Sequence, residues 1–142
     1  MAKKISIAID GPAGAGKSTI ARRLAKEMGY MYVDTGAIYR TVAYFMDLLG
    51  ISPKDADGVE RYIDELTISI EYDEEGVQHM IMNGMDVSDD IRTQDISQKA
   101  SLVSAHSVVR DVLLDMQRDV AKKHNVIMYG RDIGTVVLPK AN

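Results

Sequence analysis

A glycine-rich segment near the start of the chain ends in a lysine and a serine, a combination suited to holding phosphate groups. Its sequence is Gly11-Pro12-Ala13-Gly14-Ala15-Gly16-Lys17-Ser18, which matches the pattern G-x-x-x-x-G-K-[ST]. Glycines let backbone N–H groups converge on phosphate oxygens in conformations that a Cβ atom would block. Lys17 would neutralise the β and γ phosphates of a nucleotide, and the Ser18 hydroxyl would ligate Mg²⁺. The segment therefore predicts a phosphate-binding loop.

Polar residues that could bind a second phosphate follow the next predicted strand, residues 31–33. The segment Asp34-Thr35-Gly36-Ala37-Ile38-Tyr39-Arg40 begins where that strand ends, and open α/β sheets bind ligands at the carboxyl ends of their strands. Thr35 could cap the following helix, and Arg40, one turn into it, could form paired hydrogen bonds with a phosphate. The alternative is a helix cap followed by a solvent-exposed arginine.

A further polar segment, Gly130-Arg131-Asp132, follows a predicted parallel strand over residues 126–129. A surface ion pair between Arg131 and Asp132 is the simpler interpretation. Their place at the same sheet edge as the phosphate-binding loop favours a functional role.

Ser101 and Arg110 are a fourth candidate pair, within a stretch of helical periodicity over residues 94–123. On one continuous helix, nine residues at about 100° each would place them on opposite faces. They can share a ligand only if the helix breaks, and Ala105-His106-Ser107 offers a break with Ser107 as the cap of a second helix. Arg110 would then lie in a first helical turn, where the dipole disfavours a cation. This suggests a ligand, although the pattern alone favours a surface arginine.

The elements around the first segment are those that a phosphate-binding loop requires. The nearly unbroken apolar run before it predicts a strand over residues 4–9, of the kind found at the centre of a parallel sheet. The residues from Thr19 onward predict a helix, whose amino terminus supplies unpaired N–H donors and a dipole favourable to anions. An ordinary glycine-rich turn is the alternative, and the correct element on each side favours the loop.

The remaining pattern is an antiparallel insertion between helices. Residues 67–72 and 77–82 alternate with period two and are followed by the turn Asn83-Gly84. Residues 54–66 predict a helix with Ser52 near its cap. Residues 36–49 predict another helix, whose inward apolar face consists of Ile38, Val42, Phe45 and Leu49. The helix after the break near residue 106 has a predicted inward face of Val109, Val112, Met116 and Val120. Arg92 and the histidines at 79, 106 and 124 are interpreted as surface or capping residues.

Composition narrows the class of protein. The 142 residues fit one domain, and 46% apolar with 27% charged residues indicates a globular chain. The net charge of −4 offers no electrostatic footprint for a nucleic-acid polymer or an anionic membrane. With no cysteine, a disulfide scaffold is excluded. The first apolar run is too short for a signal peptide, so we expect a cytoplasmic protein without a membrane span.

Five segments resemble the motifs of the bacterial cytidylate kinases, which are P-loop nucleoside monophosphate kinases. They occur in the family's order and spacing, over essentially the whole chain: IAIDGPAGAGKST, DTGAIYR, DVSDDIRTQDIS, KASLVSAHSVVR and YGRDIGTVV. The resemblance implies a P-loop NTPase-type α/β fold in three layers, with a parallel sheet and a small antiparallel insertion. We expect one domain, residues 1–142, with a nucleoside-monophosphate-binding insertion at about residues 37–105.

The resemblance also implies an ATP-dependent (d)CMP kinase that transfers the γ-phosphoryl group of ATP to CMP or dCMP with Mg²⁺, giving CDP or dCDP. The residues that resemble the ATP site are Gly11, Pro12, Ala13, Gly14, Ala15, Gly16, Lys17, Ser18 and Thr19. Those that resemble the acceptor-phosphate ligands are Thr35, Arg40 and Arg131, and those that resemble the cytosine-binding residues are Ser101, Arg110 and Asp132. Lys17 and Arg131 take the catalytic roles, and Ser18 the metal-ligand role.

The chain departs from the family pattern at its end. Family members continue beyond Asn142 with two more strands, an arginine-rich lid and a last helix, so the resemblance predicts weak binding and poor turnover for these 142 residues. It also predicts the strand order second, third, first, with the phosphate-loop strand at an open edge. A complete member is expected to be a monomer.

Two other functions stay open at this point, and a GTPase is disfavoured. A P-loop kinase for another small acceptor, such as UMP or shikimate, is disfavoured by the antiparallel insertion and the Ser101, Arg110 and Asp132 set. A GTPase would carry an N-K-x-D motif, which the sequence lacks. A nucleotide-binding module without turnover is the alternative outside the enzyme class.

Overall fold

The computed structural model of the protein describes residues 5–10, 17–74 and 76–130. Its chain divides into two compact units. Unit 1 comprises Met1–Thr35 and Leu114–Asn142, and unit 2 comprises Gly36–Leu113. Each unit contains its own sheet.

Unit 1 contains the parallel sheet. Its strands are β1 (Ser6–Asp10), β2 (Met31–Asp34) and β6 (Val126–Gly130), in the order β1-β6-β2. All neighbours are parallel, with Ile7 aligned with Ile127 and Val33 with Met128. Helix α1 (Lys17–Met28) contacts the sheet through buried Ala21 and Ala25. The expected strand order is therefore confirmed.

The position of β1 differs from what its composition indicated. The apolar run predicted a central strand, whereas the resemblance predicted an open edge for it in these 142 residues, and in the described sheet β1 lies at the edge and β6 at the centre. A short apolar strand looks the same in sequence at either position, because its neighbours come from distant parts of the chain. Here β6, more than one hundred residues later, supplies the pairing partner.

Unit 2 combines helices with the antiparallel sheet. Its helices are α2 (Thr35–Leu48, whose first residue belongs to unit 1), α3 (Ala56–Tyr62), α4 (Gln94–Val103) and the first part of α5 (Ser107–Lys123). Two 3-10 helices occupy Ile63–Glu65 and Asp90–Arg92. The sheet has the order β3 (Ile68–Tyr72), β4 (Gln78–Met82) and β5 (Met85–Asp86), as the alternating pattern predicted.

The turn between β4 and β5 has the conformation that its sequence indicates. Asn83 has φ 47° and Gly84 has φ 85°, which are the positive angles that Asn-Gly supplies in two-residue hairpin loops. Asn83 also joins the end of β4 to the residue before β3, since its Oδ1 accepts a hydrogen bond of 2.6 Å from the Thr67 amide. Its own amide donates to the Thr67 carbonyl at 2.8 Å.

The start of α3 corrects one prediction. The helix begins at Ala56 and not at residue 54, and its cap is Asp55, whose Oδ1 accepts from the Gly58 amide at 3.0 Å. Ser52 lies one turn earlier, where its Oγ accepts from the Lys54 amide at 3.2 Å. Asp55 and Ser52 are both residue types that cap helices, and the space at Gly58 suits Asp55. A Cβ at position 58 would lie 2.7 Å from Asp55 Oδ2, so glycine there leaves room for the Asp55 carboxylate.

The predicted apolar face of α2 is right at Ile38, Val42 and Phe45, whereas that of α5 is buried only at Val109. Leu49 falls just after α2 and is 45% exposed, while Met46 is buried in its place. Val112 of α5 is 40% exposed. The buried positions of α5 recur every four residues: Val109, Leu113, Gln117 and Ala121. A glutamine on that stripe breaks the apolar pattern, so hydrophobicity alone assigned the face one position off.

Within the described ranges, every helix is too short or too polar to cross a membrane.

Candidate functional site

Three of the predicted site segments begin at one edge of the parallel sheet of unit 1. Asp10 at the end of β1 pairs with Gly130 at the end of β6, and Asp34 at the end of β2 pairs with Tyr129. Neighbouring strands lie about 4.8 Å apart, so the segments leave adjacent strands at their carboxyl ends. This is the edge at which open α/β sheets bind ligands. The sequence predicted that these segments lie at one edge of the sheet, and the observed strand register agrees with that prediction.

The phosphate-binding loop connects β1 to α1. Residues 11–16 lie outside the described residues, and α1 begins at Lys17 with Ser18 as its second residue. Both therefore belong to the first turn, where the helix dipole and the unpaired N–H groups favour anions. Thr19 follows and is exposed. A serine hydroxyl is a hard oxygen donor of the kind that Mg²⁺ accepts beside nucleotide phosphates, so the chemistry of Ser18 fits that ion.

The acceptor-phosphate candidates stand near the start of α2 and after β6. Helix α2 begins at Thr35 itself, one residue earlier than predicted, and the Thr35 side chain is 4% exposed. Arg40 lies five residues further along α2 and is half-buried. Arg131 and Asp132 lie outside the described residues, although Gly130, which precedes them, ends β6 at the shared edge.

The break predicted between Ser101 and Arg110 is present. Helix α4 ends at Val103 and α5 begins at Ser107. Successive short-range hydrogen bonds form the turn, from the Ala105 amide to the Leu102 carbonyl at 3.2 Å and from the His106 amide to the Val103 carbonyl at 3.1 Å. Ser101 and Arg110 are both exposed, on different helices of unit 2. Ser101 and Arg110 therefore belong to separate helices, which is the condition under which they could share a ligand.

Tyr39 is a neighbour of Arg110 that the sequence did not single out. Burial raises the pKa of the Tyr39 phenol above its usual value, and the positive charge of Arg110 opposes that rise. The Arg110 guanidinium of α5 therefore acts on a side chain of α2 that immediately precedes Arg40. In the sequence, Tyr39 could have been noticed because it belongs to the DTGAIYR segment. Its interaction with Arg110 could not, because the two residues are some seventy positions apart.

Lys99 links α4 to α2 within unit 2. Its Nζ donates hydrogen bonds to Asp47 Oδ1 and, at 3.0 Å, to Asp95 Oδ2. The hydrogen bond to Asp47, followed by that to Asp95, raises the pKa of Lys99. The Asp95 pair has the i,i+4 spacing that a sequence can indicate, whereas Asp47 lies 52 residues away. Lys99 thereby ties the helix that bears Ser101 to the helix that bears Arg40.

His79 lies at the surface, as interpreted from the sequence, and forms two ion pairs there. On β4, its Nε2 lies 3.0 Å from Asp73 Oδ2 and its Nδ1 lies 2.9 Å from Asp86 Oδ2. Ionised carboxylates only accept hydrogen bonds, so both ring nitrogens carry protons when both pairs form. The hydrogen bonds to Asp73 and then Asp86 raise the pKa of His79. Hydrogen bonds from Ser88 are the main cause that lowers the pKa of Asp86.

Other polar candidates have surface roles in the described part of the chain. Arg92 is exposed at the end of a 3-10 helix, as interpreted from the sequence. Among the residues that the structure describes, no three acidic, histidine or cysteine side chains are arranged to hold a metal ion. The His79 cluster is accordingly an ion-pair network.

Comparison with known proteins places the chain in a family. A family model described as cytidylate kinase matches residues 7–142. A cytidylate kinase of Exiguobacterium sp. is 47% identical over 142 residues, which cover 100% of this chain and 63% of the relative. One of Bacillus cereus is 47% identical over 144 residues, covering 99% and 62%, and one of Clostridium tetani is 44% identical over 138 residues, covering 97% and 59%.

The chain spans about three fifths of the length of these curated relatives. The family match nevertheless extends over almost the whole of this sequence, and the relatives share nearly half of the aligned residues with it. The chain belongs to the cytidylate kinase family.

Proposed function

We propose that this protein transfers the γ-phosphoryl group of ATP to CMP or dCMP, giving ADP and CDP or dCDP. The observation that supports this most is the shared edge of the parallel sheet, where β1 runs toward α1 and the strands β2 and β6 end beside it. A donor phosphate site and an acceptor phosphate site must be adjacent for direct transfer, and segments that leave neighbouring strands meet that need.

The ATP side is assigned to the loop and the first turn of α1, Gly11 to Thr19. The backbone N–H groups of the loop would hold the phosphates, and the Lys17 ammonium would neutralise charge on the β and γ phosphates. Bound with ATP and held by Ser18, Mg²⁺ would offset negative charge on the phosphoryl group in transfer. Because phosphoryl transfer depends mainly on positioning and charge, these groups carry most of the proposed catalysis.

The acceptor side is assigned to Thr35, Arg40 and Arg131. Two guanidinium groups can each form paired hydrogen bonds with the phosphate of CMP, and the Thr35 hydroxyl can add one more. Arg131 would also touch the transferring phosphoryl group, which is why we give it a catalytic role. With the negative charge of the acceptor phosphate offset, its oxygen can approach the γ-phosphorus of ATP.

Base recognition is assigned to Ser101, Arg110 and Asp132. Cytosine presents an amino donor at N4 where uracil presents an acceptor at O4, so a carboxylate such as Asp132 favours cytosine. Arg110 has five N–H donors, which suit the O2 and N3 acceptors of the same ring. The Ser101 hydroxyl makes a weak hydrogen bond within its own helix, because its Oγ lies 3.4 Å from the Ser97 carbonyl oxygen, which is long for such a bond.

A coupled assay of ADP formation tests the proposal. The chain of residues 1–142 and the full-length protein from its reading frame would each be mixed with ATP, Mg²⁺ and either CMP, dCMP or UMP, with an acceptor-free control. We expect the full-length protein to turn over CMP and dCMP well above UMP. A preference for UMP would contradict the proposed acceptor. Nucleotide binding by the full-length protein without any acceptor-dependent ADP would contradict the enzymatic assignment.

A further inference from the structure

The side chain of His106 joins the turn between α4 and α5 to a distant loop. Its imidazole is half-buried, and its Nε2 lies 2.7 Å from the carbonyl oxygen of Pro53. A carbonyl oxygen only accepts, so Nε2 must donate, and the neutral ring is fixed in the tautomer that carries its proton on Nε2. This hydrogen bond joins two loops that are 53 residues apart in sequence.

The loop that contains Pro53 is itself tied to the end of α2. The Ile51 amide donates to the Met46 carbonyl at 2.9 Å, and the Gly50 amide donates to the Asp47 carbonyl at 3.0 Å. Pro53 therefore presents its carbonyl from a loop whose backbone is hydrogen-bonded to the helix before it. Through this oxygen, His106 anchors the beginning of α5 to the end of α2 inside unit 2.

The same histidine is directly connected to Arg110. The Arg110 amide donates to the His106 carbonyl at 3.2 Å, which forms the first helical hydrogen bond of α5. The Arg110 side chain is exposed, and its charge acts on the Tyr39 phenol of α2. A shift of the first turn of α5 would therefore move Arg110 relative to α2.

We propose that His106 is a positioning residue for pyrimidine binding: its hydrogen bond to Pro53 fixes the first turn of α5 and so the direction in which Arg110 leaves the helix. This inference rests on the proposed function, in which Arg110 binds the base. Without the bond the turn gains conformational freedom, and binding must then order it, which weakens affinity for the base. Binding of the phosphate alone, assigned to other residues, does not depend on it.

The test compares three variants of the chain of residues 1–142. His106→Phe keeps a planar ring and removes the donor, and His106→Gln restores an N–H donor at a similar reach. His124→Phe is the matched control, because His124 is an exposed histidine that lies just after α5. Calorimetry would measure the Kd for CMP, for ribose 5-phosphate, which lacks the base, and for ADP. Thermal unfolding would be recorded for each variant.

We expect His106→Phe to raise the Kd for CMP about threefold to tenfold, in line with the loss of one hydrogen bond. The Kd values for ribose 5-phosphate and ADP should stay unchanged, and His106→Gln should recover most of the CMP affinity. A merely structural role would weaken all three ligands together with the thermal midpoint, and that result would overturn the inference.

Two further outcomes separate this inference from the proposed function. If the unsubstituted chain binds CMP and His106→Phe binds it equally well, the inference fails while the proposed function stands. If neither the unsubstituted chain nor the full-length protein binds CMP more tightly than ribose 5-phosphate, the proposed base recognition fails and this inference with it. The tautomer is checked independently by the ¹⁵N shifts of the His106 ring. A proton on Nδ1 in the neutral ring would overturn the inference directly.

Discussion

In unit 1 the fully buried side chains are mainly apolar and include Val33, Val126 and Ile127 of neighbouring parallel strands. Unit 2 also has buried apolar residues, such as Val59 and Met80, but charged side chains join its elements as well. Lys99 links two helices, and His79 links a turn to a neighbouring strand. The proposed phosphate chemistry of unit 1 thus depends on consecutive residues beside a buried sheet. The proposed base recognition combines Asp132 of unit 1 with Ser101 and Arg110 of unit 2, whose helices are held by contacts between distant segments.

The largest expected difference between the two units comes from removing the positive charge of the phosphate-binding loop in unit 1. Lys17→Met should lower kcat/KM for CMP phosphorylation by the full-length protein by about 10³-fold or more, because the lost charge offsets the β and γ phosphates in the transition state. Lys26→Met, a basic residue in the last turn of the same helix, is the control and should leave kcat/KM unchanged. Near-normal turnover in Lys17→Met would refute the phosphate-loop assignment.

The aliphatic core of unit 1 is tested by truncating its central strand. Ile127 is fully buried in β6, so Ile127→Ala should reduce the free energy of unfolding by about 2–5 kcal/mol through lost burial and the cavity left behind. The matched change Ile20→Ala, at a residue of α1 that is 52% exposed, should stay within about 0.5 kcal/mol. Denaturant unfolding measures both. Equal losses in the two variants would contradict the arrangement of the sheet.

Base selectivity provides a test with a smaller expected effect. Asp132→Asn replaces a pure acceptor with a group that can also donate, so it should weaken CMP and narrow the preference over UMP by about 1–3 kcal/mol. The ratio of kcat/KM for CMP and UMP measures this in the full-length protein, with Asp111→Asn, an exposed aspartate of α5, as control. An unchanged ratio in Asp132→Asn would show that Asp132 does not contact the base.

The smallest effect concerns the pH dependence of unit 2. Because its pKa is raised in the folded state, His79 contributes stability that is fully present below its unfolded pKa of about 6.5 and is lost as the pH rises through the folded pKa. The groups around it are acidic: Asp73 in the turn, Asp86 on β5, and Glu71, which is paired with His79 across β3 and β4. The lowered pKa of Asp86 keeps its carboxylate charged until the pH falls through that lowered value.

Hydrogen exchange of the β4 amides, followed between pH 5 and pH 9, measures this dependence. Protection in the unsubstituted chain should decrease above neutral pH once the intrinsic exchange rate is accounted for, and His79→Gln should abolish the change. His124→Gln, at an exposed histidine just after α5, should retain it. An identical pH profile in His79→Gln would contradict the ion-pair role.

Much of unit 1 could be predicted from the sequence, since its signals are local. The strand, loop and helix around Lys17 lie within thirty residues, and each element is favoured by its own composition. The order of the strands came from the resemblance to a family and agrees with the register. Composition alone placed β1 at the centre of the sheet, because an apolar strand does not carry the identity of its neighbours.

In unit 2 the local signals predicted some features correctly and missed others. The turn at Asn83-Gly84 and the helix break near residue 106 were both predicted, since positive φ at Asn-Gly depends on one or two residues. Ser107, predicted as the cap, is instead the first residue of α5. The cap of α3 was assigned to Ser52 because Asp55 and Ser52 are equivalent by type. The glycine at 58, which leaves room for the Asp55 carboxylate, is a matter of three-dimensional contact.

By itself the sequence determined the phosphate-binding motif, the type of most elements and the family resemblance, because these depend on residues that are close along the chain. Only the tertiary structure decided that Lys99 reaches Asp47 and that His106 donates to Pro53, at separations of 52 and 53 residues. It also decided that His79 lies between two carboxylates. The physical reason is that a polar side chain has several partners available by chemistry, and its actual partner is the one that packing brings within about 3 Å.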